Sequence, residues 1–262
     1  MVTAFKLMKK IFLSILLTFS FSSFAAEKSF ISKINYAAST SFGYKFFEYK
    51  LPIQKNNISL PTLNVTAQAS YKKTSFGFNY ENTTHRKKIR DAGVDGSVHR
   101  KDWAIKVSRR LHQRLYGETD EIPFAISAFS GYASGEMLFN YEDNAQIKYQ
   151  EAGIYGGVGV VLIFNKSLFF LNSPSLVNVS AAYGYMYDTT YSRIDSIGNK
   201  TRIHGGAHGG SGSLNYTVTS PWGDGNLDFF VGGKANAYYL EANGDRIGRL
   251  LTFYYLGMSY YF

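Results

Sequence analysis

From Ile34 onward, apolar positions fall on every second residue. Ile34, Tyr36, Ala38, Thr40, Phe42, Tyr44 and Phe46 alternate with Lys33, Asn35, Ala37, Ser39, Ser41, Gly43 and Lys45. A period of two is that of a strand whose faces meet different surroundings. The pattern returns over Leu63–Tyr71, Phe76–Tyr80, Trp103–Val107, residues 124–139, Ile154–Phe164, Val177–Tyr187, Leu214–Val218 and Leu227–Val231. The last segment runs from about Gly248 to Phe262, which makes ten. Lys72-Lys73-Thr74, Gly117–Ile122, Asn165–Ser175 and Pro221–Gly225 read as turns or short connections, and residues 84–101 and 192–212 as long polar loops. Short connections at one end and longer ones at the other are the habit of an up-and-down transmembrane barrel.

The positions opposite the apolar face are often Gly, Ala or Ser, which suits a crowded lumen. A β-sandwich alternates as well, but buries its apolar faces against each other. The expectation is therefore an all-β chain: a single antiparallel up-and-down transmembrane β-barrel of about ten strands, with eight or twelve as the other even counts considered. Ala152–Leu171 is apolar enough to suggest a membrane helix, yet Lys166 and four glycines, Gly153, Gly156, Gly157 and Gly159, oppose it. A Lys inside a spanning helix costs about 2.5–3.5 kcal/mol. Each Gly forfeits about 1 kcal/mol of helix propensity.

The first residues read as an address. Lys9-Lys10 precede the apolar run Ile11–Phe21, and Ser23-Phe24-Ala25 places small residues where a signal peptidase reads. The run is shorter than the ~20 residues that a spanning helix needs. Residues 1–25 are thus expected to form a cleavable signal peptide and residues 26–262 the barrel domain.

Composition sharpens this picture. The chain has 21 Tyr and 21 Phe against 2 Trp; such residues favour strands, and Tyr suits a membrane–water boundary. With no cysteine, neither a disulfide scaffold nor a thiolate metal site can form. The formal net charge is +9. A basic balance could serve nucleic acid or anionic lipid, but no nucleic-acid module signature is present.

The chain ends Tyr255-Leu256-Gly257-Met258-Ser259-Tyr260-Tyr261-Phe262. Gly257, Tyr260 and Phe262 fill the places of a glycine, an aromatic and a terminal aromatic. This segment resembles the β-signal of bacterial outer-membrane proteins. The resemblance implies an assembly signal at those three residues, the barrel-assembly machinery as a partner during insertion, and the outer membrane of a Gram-negative cell as the location. In its ten-stranded size the chain is similar to omptin proteases and to small porin-like barrels.

Candidate chemistry is sparse. Omptins use an Asp–His pair near the rim, and no Asp-x-His occurs here. His204 and His208 are spaced as metal ligands on a helix would be, but in a glycine-rich segment that disfavours helix. Ser211 or Ser213 beside His208, with Asp188 or Asp195, would be the residues of a rim hydrolase, without a nucleophile-elbow motif. No cofactor, metal site or catalytic residue is expected.

Two groups of charges remain. Arg86, Lys87, Lys88, Arg90, Arg100 and Lys101 fall in the loop 84–101, where basic side chains could contact lipopolysaccharide phosphates. Lys33, Lys45, Glu81, Lys106, Arg110, Asp188, Asp228, Lys234 and Arg249 fall on the lumen face of the assigned register. They either select anionic solutes or pair across a narrow lumen and close it. The functional expectation is a narrow porin-like channel for small, anion-favouring solutes. The alternative is a structural or binding barrel whose basic loops meet lipopolysaccharide or a partner.

Overall fold

The computed structural model describes residues 34–50, 55–83, 87–91, 94–114, 124–141, 146–165, 175–194, 197–220, 226–242 and 245–262. They form β1 (Ile34–Lys50), β2 (Lys55–Tyr71), β3 (Thr74–Thr83), β4 (Lys87–Asp91), β5 (Val94–Arg114), β6 (Phe124–Tyr141), β7 (Gln146–Asn165), β8 (Ser175–Ile194), β9 (Lys200–Thr219), β10 (Leu227–Ala242) and β11 (Asp245–Tyr261). Every pairing is between chain neighbours except two: β1 with β11, and β3 with β5. Those two close the sheet into an antiparallel barrel of ten strands. β4 adds a short hairpin on the first residues of β5.

Ile34 and Phe262 lie at the same end, called proximal below. Closure there is direct: Phe262 N–H donates to the Tyr36 carbonyl at 3.0 Å, and Tyr261 N–H to that of Asn226 at 2.9 Å. β2 and β3 are joined by Lys72-Lys73, with Lys72 in the left-handed region at φ 51°. That conformation suits a two-residue hairpin turn.

At the distal end, two to five residues separate successive strands, from the pairs 92–93 and 243–244 to the segment 195–199, and β4 lies between the barrel strands β3 and β5. The two long polar loops expected from the sequence are therefore corrected. Residues 87–91 pair with 94–98 in the β4–β5 hairpin, 99–101 continue β5, and most of 192–212 belongs to β8 and β9. The barrel strands other than β3 run 16 to 21 residues, against about 9–11 for a bilayer crossing. They continue well past the membrane at the distal end.

The exterior of the proximal and middle barrel is apolar. Phe42, Tyr44, Phe76, Phe78, Val107, Val158, Tyr183, Leu214, Val231, Tyr254, Leu256 and Met258 all face out. Trp103 and Tyr132 pack at 5.3 Å on this surface, as an interfacial aromatic girdle would. Distal of them the exterior turns polar: Lys101 is exposed, and Lys148 pairs with Glu136 at 2.8 Å. Inside, the distal barrel is filled by Phe47, Ile58, Leu60, Val98, Met137, Phe139 and Leu251.

Candidate functional site

The lumen is layered. Below the distal apolar core lies a belt of ionised groups contributed by six strands. Lys45 on β1 pairs with Glu81 on β3 and, at 2.8 Å, with Asp102 on β5. Lys234 on β10 reaches Glu81 at 2.5 Å. Arg100 grips Asp102 through Nε at 2.8 Å and Nη2 at 2.6 Å, and reaches Glu151 on β7 at 2.5 Å. Arg249 on β11 pairs with the other oxygen of Glu151. Most of these pairs join strands that are not neighbours, so the belt crosses the lumen.

The belt is tied to the core above it. The Arg100 guanidinium lies 4.8 Å from the centre of the Phe47 ring, and the Lys45 ammonium 5.3 Å from it. Against well-packed apolar residues such a network gains little stability, because desolvation offsets the attraction. Removing one member is another matter: a buried charge left unpaired costs about 3–5 kcal/mol. A solute passing through would have to part these pairs and then the apolar layer behind them.

Proximal of the belt is a cavity of about 490 Å³. The belt forms its roof, and Ala104, Ala133, Ala182, Gly184, Gly209 and Ser211 are in its walls. Phe129 and Tyr155 lie across it with ring centres 6.1 Å apart. Lys106 points inward over the Phe129 ring at 4.5 Å. Further toward the proximal mouth the lumen is polar. Ser75 and Ser108 are 2.7 Å apart, as are Ser180 and Ser213, and Asp228 accepts a hydrogen bond from Tyr261.

Of the lumen charges chosen from the sequence, Lys45, Glu81, Lys234 and Arg249 meet in the belt, and Lys106 lines the cavity. Asp228 is buried near the proximal mouth. Arg110 stands at that rim, beside an extra residue in β5, and bonds to Gln113. Lys33 lies outside the described residues. Asp188 falls at an extra residue in β8, where the strict alternation that placed it breaks, and its side chain is not among those described.

Three belt residues were not in that set. Asp102 continues the inward parity of Ala104 by one step and Glu151 that of Tyr155 by two, and following that parity distally finds them. Arg100 corrects its assignment to a basic loop: it is 3% exposed and points into the lumen. Of the other basic residues of that stretch, Lys101 is on the exterior, and Lys87, Lys88 and Arg90 are on β4 with side chains not described. Arg86 lies outside the described residues.

Gly257 faces inward, where an added Cβ would come 2.3 Å from the Thr40 carbonyl oxygen. Tyr260 and Phe262 face outward with ring centres 4.8 Å apart. His204 and His208 are strand residues four apart, hence about 13 Å distant. Ser211 and Ser213 turn inward while His208 turns outward toward Tyr239. Neither the metal pair nor the Ser–His pair is assembled. Among the described residues no cluster of three His, Cys, Asp or Glu is placed for a metal ion.

A closed barrel with an apolar exterior and a charged, hydrogen-bonded interior is an outer-membrane-type β-barrel. No protein-family model and no curated protein sequence matches the chain. Among solved structures it is similar to the outer-membrane protease OmpT of Escherichia coli, at 12% identity and a TM-score of 0.48, covering 87% of this chain and 96% of that one. It is similar also to the attachment invasion locus protein Ail of Yersinia pestis, at 11% identity and a TM-score of 0.32, covering 87% and 99%. A third is the translocator domain of the autotransporter NalP of Neisseria meningitidis, at 10% identity and a TM-score of 0.41, covering 87% and 88%.

Proposed function

We propose that this protein is an integral outer-membrane barrel that works as a sealed structural or binding barrel, not as a diffusion channel. Residues 1–25 direct export in this reading, and the distal end faces out of the cell. One observation carries it: the lumen is crossed by the ion-pair belt and, directly distal of it, by the apolar layer around Phe47, Leu60 and Met137. The test is conductance of the refolded residues 26–262 in planar bilayers. The expected record is free of unitary steps. Reproducible steps, above all anion-selective ones, would establish the narrow channel instead. Labelling of a Gly198→Cys variant on intact cells with an impermeant reagent checks the orientation.

The partner in this reading is lipopolysaccharide. Lys101 and Lys148 are on the exterior just distal of Trp103 and Tyr132, the height at which phosphate groups would stand above an aromatic girdle. Vesicles containing lipopolysaccharide should raise the unfolding midpoint more than neutral lipid does. Lys101→Ala combined with Lys148→Ala should shrink that difference; an unchanged difference removes these two residues from the contact.

A further inference from the structure

We propose that the cavity below the ion-pair belt is a binding site for a small organic anion with a flat apolar body, an aryl carboxylate in chemical class, with its carboxylate at Lys106. The cavity measures about 490 Å³, within the ~300–1,000 Å³ common for small-molecule sites. Glycines keep it open. At Gly131 a Cβ would come 2.8 Å from the Tyr155 ring, and at Gly157 2.9 Å from the Phe129 ring. Their absence lets both rings lie back against the wall and offers an aromatic shelf beside empty space.

The charges favour an anion. Lys45, Arg100, Lys106, Lys234 and Arg249 stand against Glu81, Asp102 and Glu151 in and around the cavity. Each of the three carboxylates already takes two cations. Donors are nevertheless left over. Lys106 has no carboxylate partner among the described residues, only the Phe129 face. A carboxylate entering the cavity would pair with the Lys106 ammonium and supply the acceptors it lacks. A cation would meet the surplus of positive charge, and a neutral amide would leave it uncompensated. Because the distal lumen is packed with apolar side chains, the ligand enters from the proximal end.

The test is calorimetry on the refolded barrel in detergent micelles with 2-naphthoate and its neutral analogue 2-naphthamide. Micelle partitioning is subtracted with titrations into protein-free micelles, and the fold of the Lys106→Gln variant is checked by heat-modifiable mobility. This readout is independent of conductance: a conducting barrel can bind naphthoate, and a sealed one can fail to. Naphthoate should bind at one saturable site, about tenfold or more tighter than naphthamide. Lys106→Gln should lose that margin and Lys106→Arg should keep most of it. Equal binding of the two compounds, a Lys106→Gln variant that binds naphthoate as the native chain does, or no saturable binding of naphthoate overturns the proposal.

Discussion

Along β6, Ser127, Gly131, Ala133 and Gly135 turn inward and Tyr132 turns outward; a few residues on, Met137 and Phe139 turn inward and Glu136 turns outward. The same inversion occurs on β1, where Lys45 is inside and Phe46 outside, but the next residue, Phe47, is buried in the lumen. β2 repeats it, with Thr62 and Asn64 inside the middle barrel and Leu60 and Ile58 inside the distal barrel. One stretch of barrel therefore has an apolar coat and a polar lumen, and the other a polar coat and an apolar core. Backbone pairing is continuous through both, so the difference lies in the solvent each exterior meets. Lipid rewards an apolar coat; above the bilayer, water restores the arrangement of a soluble protein. The ion-pair belt sits where the two patterns meet.

The comparison can be attacked first at the coat of the bilayer stretch. Tyr260→Asp with Phe262→Asp places two carboxylates on its proximal rim and removes both aromatics of the proposed assembly signal. The expected outcome is loss of heat-modifiable barrel from outer-membrane fractions, and normal levels there would free the C-terminal strand from any such role. The next effect should come from the distal core. Leu60→Ala empties a fully buried site and should cost about 2–5 kcal/mol, read from reversible urea unfolding in lipid vesicles. A change below about 1 kcal/mol would mean that the distal interior is not packed as a core.

A charge series then separates the surfaces. Ala181→Arg points at lipid and should cost about 2–4 kcal/mol. Ser180→Arg points into the polar lumen and should cost less. Gln150→Arg lies on the exterior distal of the girdle, where surface substitutions fall within about 0.5 kcal/mol. If Ser180→Arg proved the most damaging, the inner and outer faces of β8 would be exchanged, since a one-residue slip reverses every side chain.

The sequence was legible where one rule held throughout. In the bilayer stretch, period-two alternation with apolar residues outside placed all ten strands and the inward direction of Lys45, Glu81, Lys106, Lys234 and Arg249. It failed where the rule inverts. Lys87, Lys88, Arg90 and Lys101 look like a solvated loop, because polar residues on a water-facing strand resemble a loop when judged by polarity alone. Arg100 was drawn into that reading with them, although Val98 two residues earlier shares its inward parity. The sealing layer of Phe47, Leu60 and Met137 was invisible for the same reason: when apolar residues are assigned to the lipid side, an inward Phe47 after an outward Phe46 reads as noise. The extra residue in β8 leaves no mark in an alternation pattern, which is why an uninterrupted register does not place Asp188.

The smallest expected effect concerns how wet the proximal lumen is. Ser180 and Ser213 share a hydrogen bond of 2.7 Å across β8 and β9, both half-buried. A typical intramolecular hydrogen bond contributes about 0.5–1.5 kcal/mol net, and losing a buried partner costs more only when water cannot replace it. The proximal lumen holds serine pairs, Asp228 and Tyr261 rather than a packed apolar layer, so water has room and partners there. Ser180→Ala should thus fall at the low end of that range, well below Leu60→Ala in the same urea titration, and leave the slope of the transition unchanged. A loss above about 2 kcal/mol would show the proximal lumen to be as dry as the distal one. The contrast between the two stretches would then rest on their coats alone.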